Sequence, residues 1–96
     1  YLFAFMEALE GAGEQMGLER EQARLLAVQT AFGAAKMALE SPDDPGTLRE
    51  RVTSPGGTTE RALEVLEAGG LRDLVNDATA AARERAGELA DLLGEN

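Results

Sequence analysis

The residues with the types and spacing to do chemistry lie together in the run VTSPGGTT, Val52 to Thr59, of this 96-residue chain. Pro55 fixes its own φ and biases Ser54 towards an extended conformation. Gly56 and Gly57 permit positive φ and leave no side chain between the backbone and a ligand. Thr58 and Thr59 are placed to open a helix, so the amides of Gly57, Thr58 and Thr59 are expected to point out of its start. Those donors and the helix dipole suit a carboxylate or a phosphate. The hydroxyls of Ser54 and Thr59 add neutral donors or acceptors. The same letters also describe a glycine turn followed by a threonine N-cap, and from local chemistry both readings stand.

The rest of the composition narrows the chemistry. There is no Cys and no His, which excludes disulfides, thiolate nucleophiles, thiolate metal sites and imidazole bases. The formal net charge is −9, from eight arginines, one lysine and eighteen carboxylates. Nucleic acid and anionic membrane surfaces both require a basic face, so neither is an expected partner. No apolar run is long enough for a membrane span and no signal-peptide pattern appears; the expected location is the cytoplasm.

Five helical segments must position the glycine-rich run. Tyr1 to Met16 places Leu2, Phe5, Met6, Leu9, Gly13 and Met16 on one face, with Gly17 as the stop. Glu19 to Glu40 carries Leu25, Val28, Phe32, Ala35 and Leu39 at alternating steps of three and four, the pattern of packed helices. Gly33 in that helix is read as a place where another helix approaches closely. Ser41-Pro42 ends it, and Asp43-Asp44-Pro45 caps a short helix of about Pro45 to Arg51. A second short helix runs from Thr58 or Thr59 to about Ala68, and Gly69-Gly70 breaks it. The last helix, about Leu71 to Leu93, aligns Leu71, Leu74, Val75, Ala78, Ala82, Ala86, Leu89 and Leu93, leaving Gly94-Glu95-Asn96 to fray. No segment alternates with period two for long enough to be a strand, so the class is all-α. The expected architecture is a bundle of two or three long and two short helices, its core shared with a second subunit in a homodimer. The abrupt apolar opening at Tyr1 reads as a cut inside a longer chain.

Other candidates have plainer explanations. Lys36, the single lysine, reads as solvated rather than as a Schiff-base former. Glu7 and Glu10 read as surface residues, Asp43 and Asp44 as caps rather than metal ligands, and Met6, Met16 and Met37 as core or interface. No metal site is expected.

Over a longer window, LRERVTSPGGTTERALEVLE (Leu48 to Glu67) resembles the signature of the pyrroline-5-carboxylate reductase family, whose members catalyse the last step of proline synthesis. Leu48, Val52, Thr53-Ser54, Gly57, Thr59, Ala62-Leu63 and Leu66-Glu67 stand where that signature requires them. FAFMEAL (Phe3 to Leu9), REQARLLAVQTAFGAAKM (Arg20 to Met37) and LEAGGLRDLVNDA (Leu66 to Ala78) are similar to flanking segments of the family. At the Leu71 position the family more often has an aromatic. The resemblance implies that residues 1–96 are a single all-helical dimerisation and substrate-binding domain, the C-terminal part of an enzyme that reduces 1-pyrroline-5-carboxylate to L-proline. It implies interleaved homodimers, with further assembly into rings in some members. NADPH or NADH would be bound mainly by an N-terminal nucleotide domain, since no G-x-G-x-x-G motif follows a strand here. The chain by itself is then expected to be inactive. Val52, Thr53, Ser54, Gly56, Gly57, Thr58 and Thr59 would bind substrate, with the Thr59 hydroxyl against the ring nitrogen as the catalytic contact. A reductase of another cyclic imine acid and a non-enzymatic helical dimerisation module are the alternatives.

Overall fold

The computed structural model describes residues 1–94, and they form five α-helices and no strand. These are α1 (Leu2–Gln15), α2 (Arg20–Glu40), α3 (Pro45–Arg51), α4 (Thr58–Ala68) and α5 (Leu71–Gly94). The expected all-α class holds, with element boundaries within a residue or two of the pattern-based ones. Gly94 is the last helical residue; the remainder of the expected frayed tail, Glu95 and Asn96, lies outside the described residues.

Two compact units divide the chain, Tyr1–Glu50 and Arg51–Asn96. In the first, α1 packs on α2. The turn between them follows from Gly17, whose φ of +106° is open to glycine at little cost. It lets Leu18 N–H reach the Gly13 carbonyl at 3.0 Å and Gly17 N–H reach that of Glu14 at 3.0 Å, so two orphan carbonyls of α1 are satisfied. Leu18 then folds back over Gly13, where an added Cβ would lie 3.3 Å from Leu18 Cδ1 and 3.1 Å from Ala23 Cβ. The close approach of helices within this unit therefore occurs at Gly13. At Gly33, where it was expected, an added Cβ would meet no atom of the chain within 4 Å.

Small residues also decide which face of α2 meets α1. Ala23 and Ala27, at 3% and 6% exposure, are the only buried residues among those described. The large-residue seam of Leu25, Val28, Phe32 and Leu39 is exposed instead, Phe32 at 68% and Leu39 at 87%. Large side chains at the α1 contact would hold the backbones too far apart for the Gly13–Ala23 approach. Past the end of α2, Asp44 Oδ1 accepts the Thr47 N–H at 2.8 Å and caps α3, as the Asp-Asp-Pro pattern predicts. This bond holds the Asp44 carboxyl below its ordinary value.

In the second unit, α4 and α5 meet across Gly69-Gly70. Gly70 has a φ of +86°, and its carbonyl accepts the Leu74 N–H at 2.9 Å, starting α5. Arg72 forks onto Glu67 across this turn, with Nη2 3.2 Å from Oε1 and Nε 3.2 Å from Oε2. The apolar stripe of α5 is exposed along its length, apart from the half-buried Leu71. Among the described residues, no helix is long and apolar enough to cross a membrane.

Candidate functional site

The run Val52 to Thr59 lies wholly in the second unit, between the end of α3 and the first turn of α4. Its two glycines serve different purposes. Gly57 N–H donates to the Ser54 carbonyl at 3.0 Å, closing a four-residue turn with Pro55 second and Gly56 third. Gly56 has a φ of +74°, which the third position of a type II turn requires and which an L side chain resists. Gly57 has an ordinary φ of −86°. Its constraint is space, because an added Cβ would lie 3.1 Å from the Ser54 carbonyl oxygen.

This turn changes the inventory of free donors. The Gly57 amide, expected to face a ligand, is spent on closing the turn. Gly57 is also the N-cap residue and contributes no capping side chain. The first intrahelical bond of α4 runs from Arg61 N–H to the Gly57 carbonyl at 3.3 Å. The amides without an acceptor inside the helix are therefore those of Thr58, Thr59 and Glu60, one residue later than expected. Thr58 and Thr59 are the first two helical residues, so the threonine-cap reading is not realised. The hydroxyls of Ser54, Thr58 and Thr59 enter no hydrogen bond within the described residues. Val52 is exposed just past α3, and Thr53 is half-buried.

Glu60 belongs to the same site and was not among the residues singled out from the sequence. Its Oε1 accepts the Gly56 N–H at 3.0 Å, which brings a carboxylate back to the mouth of its own helix. A Glu three residues past a cap is the sequence signal for a capping box, in which it would accept the N-cap amide. Here the Gly57 amide closes the turn, and Glu60 takes the Gly56 amide one residue earlier. The signal was weak here because the cap is a glycine, with no side chain to complete the pair.

The other chemically suggestive residues are accounted for locally. Lys36 Nζ lies 3.3 Å from Glu40 Oε1 in an exposed pair one helical turn apart. Asp43 N–H donates to Ser41 Oγ at 3.1 Å, in the turn after α2. Among the described residues, no group of three or more acidic, His or Cys side chains could hold a metal ion. What the site offers chemically is a set of neutral donors at a helix start, able to hold one small anion and orient what is attached to it.

Comparison with known proteins gives a consistent assignment. The family model described as pyrroline-5-carboxylate reductase dimerisation matches residues 1–89. The chain is 52% identical over 95 residues to a pyrroline-5-carboxylate reductase of Pseudomonas aeruginosa, covering 99% of this chain and 35% of that protein. It is 45% identical over 92 residues to pyrroline-5-carboxylate reductase 2 of Rattus norvegicus, covering 96% of this chain and 29% of that protein. Among solved structures, a pyrroline-5-carboxylate reductase from Coxiella burnetii superposes with a TM-score of 0.89 at 56% identity, over 93% of this chain and 33% of that one. A Plasmodium falciparum pyrroline carboxylate reductase with NADP bound gives a TM-score of 0.86 at 35% identity, over 88% of this chain and 32% of that one. The chain thus spans about a third of the length of the relatives it matches. With nearly its whole length covered and the glycine-rich turn in place, the chain belongs to the pyrroline-5-carboxylate reductase dimerisation family.

Proposed function

We propose that this chain is the substrate-binding and dimerisation part of an NAD(P)H-dependent reductase that converts 1-pyrroline-5-carboxylate to L-proline. The observation that carries the reading is the start of α4, where unengaged hydroxyls of Ser54, Thr58 and Thr59 adjoin the acceptor-less amides of Thr58 and Thr59 in a member of this family. In this reading the Ser54 hydroxyl and those two amides hold the substrate carboxylate. Gly56 and Gly57 shape the turn beneath it, and Val52 and Thr53 wall the pocket.

The Thr59 hydroxyl oxygen accepts the N–H of the protonated ring imine. Holding the proton there keeps positive charge on the nitrogen and leaves the adjacent carbon electrophilic. A nicotinamide supplies the hydride when bound. The described residues contain no strand and hence no βαβ unit, so in this reading the nucleotide is bound mainly by another part of the enzyme. The contribution of this chain is therefore binding and orientation, which suits a site without His, Cys or metal ligands.

The exposed apolar faces support a homodimer. No side chain larger than alanine is buried among the described residues, although Leu25, Val28, Phe32 and Leu39 form one continuous seam on α2. Covering the exposed part of those four would contribute roughly 4–8 kcal/mol, at about 1.5–3 kcal/mol per fully exposed side chain. A second copy with interleaved helices would cover them, in keeping with the dimerisation family.

The test is a substrate panel on the full-length protein. Oxidation of NADPH with 1-pyrroline-5-carboxylate, at a kcat/KM well above that for the six-membered imine acid, is the expected result. A preference for the larger ring would assign a different cyclic imine acid. No oxidation with either would favour a helical module without catalytic function.

A further inference from the structure

We infer that Glu60 is a positioning residue for the substrate carboxylate, acting through the Gly56 amide. The inference rests on the proposal that the start of α4 holds that carboxylate.

Gly56 is the one residue of the turn in the left-handed region, with φ +74°. Its amide donates to Glu60 Oε1 at 3.0 Å, while the Gly57 amide donates to the Ser54 carbonyl at 3.0 Å. The turn is thus tied at two adjacent amides, once to its own first residue and once to the helix it precedes. Glycine at this position has the widest conformational freedom of any residue, so without the Glu60 tie Gly56 can leave the left-handed well easily. Ser54 sits two residues upstream of that hinge and Thr58 two residues downstream. A change at Gly56 would separate the Ser54 hydroxyl from the Thr58 and Thr59 amides, and those groups must converge to hold one carboxylate. Glu60 reaches the hinge from the third position of α4, a rigid element whose first hydrogen bond is already made at Arg61.

The acceptor oxygen and the negative charge of Glu60 have opposite consequences. The oxygen fixes the turn, whereas the charge stands at the helix start where the substrate carboxylate is to bind and weakens that binding. Gln retains the oxygen and loses the charge; Ala loses both.

The experiment uses full-length protein as wild type, Glu60→Ala and Glu60→Gln, and reads two quantities. The first is amide hydrogen exchange at Gly56. The second is steady-state kinetics with 1-pyrroline-5-carboxylate. Glu60→Ala is expected to speed exchange at Gly56 and to raise KM for the imine acid about fivefold, the loss of one hydrogen bond. Its kcat and its KM for NADPH should stay within about twofold of wild type. Glu60→Gln should keep the exchange protection and show a KM at or below wild type. An alanine variant with wild-type KM overturns the inference, and so does a glutamine variant as impaired as alanine. If wild type fails to reduce the imine acid, the substrate assignment falls, and exchange alone decides on Glu60. Protection lost in Ala and kept in Gln would then uphold its hold on the turn; protection unchanged in Ala would refute it.

Discussion

Replacing Gly13 by alanine should destabilise the protein even though alanine is the better helix former. In α1 the substitution gains about 1 kcal/mol of helix propensity. Against that, the new Cβ would stand 3.1 Å from Ala23 Cβ, 3.3 Å from Leu18 Cδ1 and 3.7 Å from Ala23 Cα. Carbon atoms pack comfortably at about 3.5–4.0 Å, so α1 must retreat by roughly half an ångström. Ala23 has no rotamer through which to yield, whereas Leu18 Cδ1 ends a flexible, exposed side chain, so the clash rests on Ala23. Overpacking of this kind costs about 1–3 kcal/mol. Gly11 provides the internal control, lying in the same helix with no atom within 4 Å of an added Cβ. Both variants share the propensity gain, so the difference between them isolates the clash. Gly13→Ala is expected to be less stable than Gly11→Ala by about 1–3 kcal/mol. Urea denaturation followed by far-ultraviolet circular dichroism, at one fixed protein concentration, measures that difference. Equal stabilities would refute the claim that α1 and α2 touch at Gly13 and Ala23.

Two further outcomes are expected. Phe32→Asp places a charge on the exposed seam of α2, and if a second copy covers that seam the dimer should weaken by about 2 kcal/mol or more per copy, read by sedimentation equilibrium. A variant that dimerises as tightly as wild type would remove Phe32 from the interface. Asp44, whose bond to the Thr47 amide lowers its carboxyl pKa, should titrate below the ordinary 3.8 when followed by NMR. Because the folded value is the lower one, its stabilisation is complete above the unfolded value and disappears as pH falls through the folded one. Asp44→Asn should therefore lose stability at neutral pH and converge on wild type in acid, flattening the acid limb of the stability curve, and a folded value at or above 3.8 would contradict the cap.

Much of the scaffold could be read from residue order. Ser41-Pro42, Asp44-Pro45, Gly17 and Gly69-Gly70 each act through local sterics or a single hydrogen bond, so their positions mark the helix ends directly. What the order of residues could not reveal depends on which faces meet. The seam from Leu25 to Leu39 reads as packed, but periodicity says that a face is apolar and not what covers it. Gly13 and Gly33 are both helical glycines, and only the pairing of α1 with Ala23 and Ala27 identifies Gly13 as the one at which α1 and α2 approach. The candidate site divides the same way. Its residues stand in one run, whereas the loss of the Gly57 amide to the turn and the return of Glu60 to Gly56 depend on backbone geometry three and four residues away.

The role given to the Thr59 hydroxyl can be measured by comparing Thr59→Ala and Thr59→Ser with wild type in the full-length protein, as kcat/KM for 1-pyrroline-5-carboxylate. A hydrogen bond to a charged partner contributes about 1.5–3 kcal/mol, so alanine should lower kcat/KM by roughly 10- to 150-fold. Serine, which keeps the hydroxyl, should recover most of that loss. An alanine variant with wild-type kinetics, or a serine variant as impaired as alanine, would contradict the placement of that hydroxyl at the ring nitrogen.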